Sequence, residues 1–238
     1  MGPLGQSSPL RRQAVKIYYH PISTTSRPLM LFAEESGLKI DFQIVDLFKG
    51  EHLQPEYAKI NPNHLIPVLE DGDFRMTESS AILKYLADKI NSPAYPKDLQ
   101  KRARVNERMD WLNTQFYRDW GYGLIYPQIF PNLKRATDEL QTGTVSWGKE
   151  KSAGWLKVLD EHLIGPKNGY LCGSEITLAD YLGAPYVTVG EIVRCNLSVY
   201  PNVTRWLGNM KKRPSWAKVN KAFYDLAASV KEAQFVAI

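Results

Sequence analysis

Asn61-Pro62-Asn63-His64-Leu65-Ile66-Pro67-Val68-Leu69, followed shortly by Thr77-Glu78-Ser79-Ser80-Ala81-Ile82-Leu83-Lys84-Tyr85-Leu86, is the stretch whose reading decides the fold. An Ile-Pro bond feeds a short apolar strand, and an acidic-hydroxyl pair then opens an amphipathic helix. The first turn of that helix has unpaired N–H groups and the positive end of a dipole, so the spot can hold an anion. Between the two halves, Pro67-Val68-Leu69-Glu70 and Phe74-Arg75-Met76 flank Asp71-Gly72-Asp73, which spells a hairpin. The stretch therefore reads as hairpin, helix and binding site in one.

Working outward, Val15-Lys16-Ile17-Tyr18-Tyr19-His20 is a strand pattern ending at Pro21, and residues 26–36 carry helical apolar spacing at Leu29, Leu31, Phe32 and Ala33 before Gly37. Asp41-Phe42-Gln43-Ile44-Val45-Asp46 alternates as a second strand, and a short helix is predicted over 53–59. Strand, helix, strand, hairpin and a helix over 79–89 make an α/β unit with a mixed sheet, spanning residues 14–90. Residues 91–98, rich in Asn, Ser and Pro, read as a linker. Beyond it, helical patterns over 99–117, 145–163, 179–193, 203–212 and 216–230 predict an all-α domain occupying residues 99–238. Thr177-Leu178-Ala179-Asp180 has the spacing of a reciprocal cap at the start of one of these helices. Residues 1–13 read as a disordered N-terminal extension.

Composition sets the limits of function. With 238 residues and 44% hydrophobic content the chain can bury a sizeable core. No run approaches the roughly 18 apolar residues of a membrane span, and the first residues have no secretory apolar core. The only cysteines, Cys172 and Cys195, form neither a disulfide framework nor a metal-ligand pattern, so no metal is expected and a reducing compartment is the default. The net charge of +5 is thinly spread, and Lys211-Lys212-Arg213 reads as a solvated helix end rather than a nucleic-acid patch.

Taken together, the Ile-Pro turn, the Glu-Ser helix start, the Pro-containing linker and the Thr-x-x-Asp cap resemble the soluble glutathione transferases over residues 15 to about 225. The resemblance implies an N-terminal thioredoxin-like domain with a mixed sheet and a C-terminal helical bundle, acting as a cytoplasmic homodimer. Glutathione would be the co-substrate and a small-molecule electrophile the partner. It implies a cis peptide before Pro67, with Ile66 pairing with the cysteinyl backbone of glutathione, and Glu78 and Ser79 holding its γ-glutamyl end. Lys49-Gly50-Glu51-His52 resembles the theta-class loop in which a histidine reaches the glycyl carboxylate, which assigns His52 to that role. Leu65 departs from the theta pattern, which offers Lys or Gln to the same carboxylate, and leaves that contact to His64 or Lys49.

In His20-Pro21-Ile22-Ser23-Thr24-Thr25-Ser26-Arg27, Ser23 stands four residues before Arg27, where theta and delta members place the catalytic serine. Thr24, Thr25 and Ser26 compete with it, and Tyr18 and Tyr19 lie inside the strand. Arg27 has two readings, a source of positive potential or a structural salt bridge. Because thiolate is the nucleophile and a free thiol has a pKa near 8.5, a hydroxyl donating to sulfur would favour the reactive form. The segment Phe116-Tyr117-Arg118-Asp119-Trp120-Gly121-Tyr122-Gly123-Leu124-Ile125-Tyr126 suggests an aromatic electrophile pocket carried by Arg118, Trp120, Tyr122 and Tyr126. The last helix, near Phe223, Tyr224 and Phe235, is a candidate cover. The expected function is conjugation of glutathione to an apolar halide, epoxide, ether or hydroperoxide. The alternative is a non-catalytic glutathione-binding or protein-interaction member of the same fold.

Overall fold

A computed structural model describes residues 15–238; the predicted extension over 1–13 lies outside the described residues. A four-stranded sheet of order β2-β1-β3-β4 is built from β1 (Val15–Tyr19), β2 (Ile40–Ile44), β3 (Val68–Asp71) and β4 (Phe74–Met76). β1 pairs in parallel with β2 and antiparallel with β3, which pairs antiparallel with β4, so the sheet is mixed as expected. Alternation divides its faces. Ile17 and Leu69 are wholly buried against helices α1 (Arg27–Ser36) and α3 (Ser79–Lys89), while Val68 turns to the other face with Val45 and Tyr57.

Helix α1 stops at Gly37, whose φ of 65° lets its N–H return to the carbonyls of Ala33 and Glu34. Gly72, at φ 64°, turns the β3–β4 hairpin. The predicted helix over 53–59 is a single turn, α2 (Pro55–Ala58), after a 3₁₀ turn at Glu51–Leu53. The peptide bond between Ile66 and Pro67 is cis.

The second part of the chain is helical, and two expectations need correction. Helix α4 (Leu99–Trp111) does not end near 117 but continues through widened π-type turns at Leu112–Phe116 and Arg118–Ile125 into α5 (Tyr126–Ile129). Gly121 and Gly123 do not break it, because they serve close contacts. A Cβ at Gly121 would lie 2.8 Å from the Tyr117 ring, and one at Gly123 would lie 3.1 Å from Gly148. Helix α6 (Asp138–Val158) starts a full two turns earlier than its apolar pattern, because the Thr137 hydroxyl accepts the Leu140 N–H at 3.2 Å.

Helix α7 (Leu178–Thr188) is buried along its whole length, and α8 (Pro201–Lys211) and α9 (Pro214–Ser229) close the bundle. The Asp180 carboxylate reaches back to the Thr177 N–H at 2.8 Å and also accepts from Leu171 N–H and the Trp206 indole. Burial pushes this carboxyl up to about 6 against those four stabilising bonds, counting the one from the Thr177 hydroxyl. Core residues from both parts form one continuous cluster, in which α1 packs directly on α7 and α9, and α3 on α7. No helix among the described residues is long and apolar enough to cross a membrane.

Candidate active site

The loop from His20 to Arg27 is wound by its own hydrogen bonds. Ser23 is its hub: its carbonyl accepts the N–H groups of Ser26 and Arg27, at 3.1 and 3.0 Å, and its Oγ accepts the Ser26 N–H at 3.2 Å. Ser23, not Ser26, therefore satisfies the start of α1; the Ser26 hydroxyl is buried without a partner. Ser23 Oγ also lies 3.1 Å from Thr25 Oγ1, which donates to the Ile66 carbonyl at 3.2 Å. Thr24 is buried and accepts from the Tyr126 hydroxyl at 2.7 Å, and Tyr126 in turn bonds the Tyr117 hydroxyl.

Glu78 sits just before α3 with φ 67° and ψ 107°, a conformation that side chains rarely take. Its strain presents the first turn of α3 to a cleft of about 260 Å³ lined by Thr25, Ile66, Pro67, Glu78, Ser79 and four residues of the helical part, Asn113, Tyr117, Tyr122 and Tyr186. Asn113 Nδ2 donates to Ser80 Oγ at 3.1 Å and its Oδ1 accepts from the Tyr186 hydroxyl at 3.0 Å, which lies 3.4 Å from Ser79 Oγ.

A second cleft of about 500 Å³ adjoins the first and shares Thr25, Leu65, Ile66, Tyr117 and Tyr122 with it. Ser23, Thr24, His52, His64 and Tyr126 line it, together with Phe130 beyond α5 and Leu226 and Val230 from α9 and its end. His52 Nδ1 is buried without a partner, and its carbonyl is 2.9 Å from His64 Nδ1. Burial, helped by His64, pushes the His52 imidazole below its ordinary value, so it is neutral at pH 7.

The structure thus brings Ser23, His52, Ile66, Pro67, Glu78, Ser79, Tyr122 and Tyr126 to two joined clefts. It does not bring Arg118 or Trp120 there. Arg118 is held at the surface by both carboxylate oxygens of Asp119, at 3.0 and 3.1 Å, and Trp120 is wholly buried, its indole donating to the Tyr186 carbonyl. Lys49 pairs with Asp46 outside the clefts, and Phe223 is core rather than cover. Asn113, Tyr117 and Tyr186 escaped the sequence reading; only the aromatic run around Tyr117 hinted at one of them.

Arg27 matches neither of its two readings in full. It is wholly buried and has no carboxylate partner among the described residues: its guanidinium donates to Pro185 O at 2.7 Å, Asn220 Oδ1 at 2.9 Å and Thr188 Oγ1 at 3.3 Å, and lies 3.8 Å from the Phe223 ring centroid. Two of those acceptors belong to the last turn of α7, where the helix dipole favours a cation. Burial lowers its pKa to about 10, which leaves it charged at neutral pH.

The profile described as "Glutathione S-transferase, N-terminal domain" matches residues 13–88, and that of the "Glutathione S-transferase, C-terminal domain" matches residues 145–214. The chain belongs to the glutathione S-transferase family. Among solved structures, a delta-class glutathione transferase of Nilaparvata lugens is 31% identical, with 91% of this chain and 100% of that one covered and a TM-score of 0.74. Human theta-2 glutathione transferase, in complex with glutathione and an unknown ligand, is 26% identical over 94% of this chain and 93% of its own, with a TM-score of 0.82. An epsilon-class enzyme of the housefly, Musca domestica, is 28% identical, covering 93% and 100%, with a TM-score of 0.76. This glutathione transferase is an enzyme whose co-substrate is glutathione, and its N-terminal part is the glutathione-binding domain.

Proposed function

We propose that this transferase is theta-like and of the serine type, with Ser23 activating the thiol. The observation that carries the reading is the pattern of hydroxyl protons in the loop before α1. Thr25 donates its proton to the Ile66 carbonyl, and Ser23 Oγ already accepts the Ser26 N–H, so the Ser23 proton is free to turn from Thr25 to a thiolate. Thr24 is buried with its Oγ1 against the Tyr126 hydroxyl, and Ser26 lies outside the clefts. A sulfur at the junction of the clefts then faces a hydroxyl donor and the positive end of α1.

The rest of glutathione follows from the same reading. Glu78 pairs with the α-ammonium, while Ser79 and the first-turn N–H groups of α3 take the α-carboxylate. Ile66 meets the cysteinyl backbone, and His52, which lines the larger cleft, takes the glycyl carboxylate, the role Leu65 cannot fill. The larger cleft takes the electrophile against Tyr122 and Tyr126, with halides, epoxides, ethers and hydroperoxides all served by one thiolate. The reading extends to a cytoplasmic homodimer; a monomeric mass by light scattering at micromolar concentration would overturn the assembly.

The test compares Ser23→Ala with Thr25→Ala by ultraviolet titration of the bound thiol and by turnover. Ser23→Ala is expected to raise the thiol pKa by about one to two units and lower turnover about 10- to 100-fold, with little change in glutathione affinity. If Thr25→Ala shows that signature instead, Thr25 is the activator.

A further inference from the structure

Glutathione meets the loop over 20–26 and the turn over 61–67 at different points, Ser23 at its sulfur and Ile66 at its cysteinyl backbone. Among the described residues a single hydrogen bond joins that loop to that turn, from Thr25 Oγ1 to the Ile66 carbonyl at 3.2 Å. Each side is otherwise fixed within its own element. Ser23 Oγ is anchored by the Ser26 N–H at 3.2 Å, at the start of α1. In the turn, the Leu65 carbonyl accepts both the Tyr57 hydroxyl at 2.8 Å and Asn61 Nδ2 at 2.7 Å, and Asn61 Oδ1 accepts the Asn63 N–H at 3.1 Å. Tyr57 and Asn61 are buried, so this frame is shielded from water.

Thr25 closes the gap between the two frames. Its Oγ1 lies 3.1 Å from Ser23 Oγ as well as 3.2 Å from the Ile66 carbonyl, and the residue lines both clefts. Because its one proton goes to Ile66, the Ser23 hydroxyl donates to it until a sulfur arrives. Ser23, Thr25 and Ile66 together span the interval that a cysteinyl residue must span from its sulfur to its backbone. In glutathione that interval holds one methylene. A second methylene lengthens the reach by about one C–C bond, ~1.5 Å. A misplacement of about 1 Å can cost on the order of 10²-fold in rate.

We propose that Thr25 is a positioning residue whose hydroxyl sets the separation between Ser23 Oγ and the Ile66 carbonyl, and that this separation selects a cysteinyl over a homocysteinyl thiol. The proposal rests on the Ser23 reading of thiol activation. When sulfur accepts the Ser23 hydroxyl proton in a hydrogen bond, Ser23 Oγ keeps its place on the Ser26 N–H and Thr25 still holds the Ile66 carbonyl. A thiol one methylene from its α-carbon then meets hydroxyl and turn together, and a longer one meets them out of register.

The experiment uses the full chain as wild type, Thr25→Val, Thr25→Ser and Ser23→Ala. The thiol probes are glutathione and γ-glutamyl-homocysteinyl-glycine, the electrophile is benzyl chloride, whose chloride the sulfur displaces, and bound-thiolate absorbance is titrated for each protein. The wild type is expected to favour glutathione at least about 20-fold in kcat/KM. Thr25→Val, which keeps the branched shape and loses the hydroxyl, is expected to cut that preference below about threefold, chiefly by loss on glutathione, and Thr25→Ser to retain it. A merely structural defect lowers both thiols alike and leaves the ratio where it was. An unchanged ratio in Thr25→Val, a wild type without preference, or a Thr25→Ser protein that has lost it overturns the proposal, while a raised thiol pKa in Ser23→Ala keeps the activation reading standing. A Thr25→Val protein whose bound thiol titrates like that of Ser23→Ala makes Thr25 a donor to sulfur and overturns its positioning role. A thiol pKa unmoved in Ser23→Ala overturns the activation reading, and the Thr25 assignment with it.

Discussion

Glu78 shows at the scale of one residue how strain and function coincide. A non-glycine residue at φ 67° costs on the order of 1–3 kcal/mol, a cost that persists because the turn it forms sets the α3 N-terminus facing the cleft. Among the described residues its carboxylate is the one charged group lining the smaller cleft. Glu78→Gln, which keeps shape and loses charge, is therefore expected to weaken glutathione binding about tenfold, the worth of one charge-assisted bond, by titration calorimetry. An unaltered Kd would remove the ammonium contact from the site. Glu78 was legible because it belongs to a local motif, a polar pair directly before an apolar helix. Tyr186 was not, since within a helix buried on every side it reads as core, and only packing across the domains brings its hydroxyl within reach of Ser79.

Among the elements, the junction of α1 with α7 and α9 is the most informative. Arg27, first residue of α1, joins the loop that carries Ser23 to the last turn of α7 and to Asn220 of α9. Replacing it by Met removes the cation but leaves Asn220 Oδ1 and the Pro185 carbonyl short of donors in a dry place. We expect a loss of about 2–4 kcal/mol in urea unfolding; a variant as stable as the parent would show that desolvation of the guanidinium cancels its bonds. The same scale explains which wall residues the sequence misplaced. A regular helix through 116–126 would set Arg118, four residues away, on the same face as Tyr122, but not Trp120, two residues away. Widened turns instead align Tyr117, Tyr122 and Tyr126, at steps of five and four, and rotate Trp120 into the core. Nothing in the local sequence marks a π-turn, whereas the strands and the hairpin of the N-terminal part are written in alternation and turn residues.

For the whole molecule, proton balance near the site follows from burial. His20 is almost wholly buried, edge-on to Phe48 at 5.6 Å, and its Nδ1 accepts the Ile22 N–H at 3.4 Å. Burial lowers its pKa below 6.5 against a weaker opposing pull from Asp46. The unfolded chain therefore binds a proton at a pH where the folded one does not. The contribution of His20 to stability is complete above its unfolded value and is lost as pH falls through its folded value. Between about pH 7.5 and 5.5 the urea midpoint of the parent should drop more than that of His20→Gln; equal drops would mean that the ring is solvated. The two domains also share a barrier. Thr25, Leu65, Ile66, Tyr117 and Tyr122 belong to both clefts at once, so neither can be filled without touching the wall of the other. By linkage, whatever factor glutathione imposes on the affinity for the second ligand, that ligand must impose on glutathione, and the order in which the two arrive cannot change the product of the two equilibria.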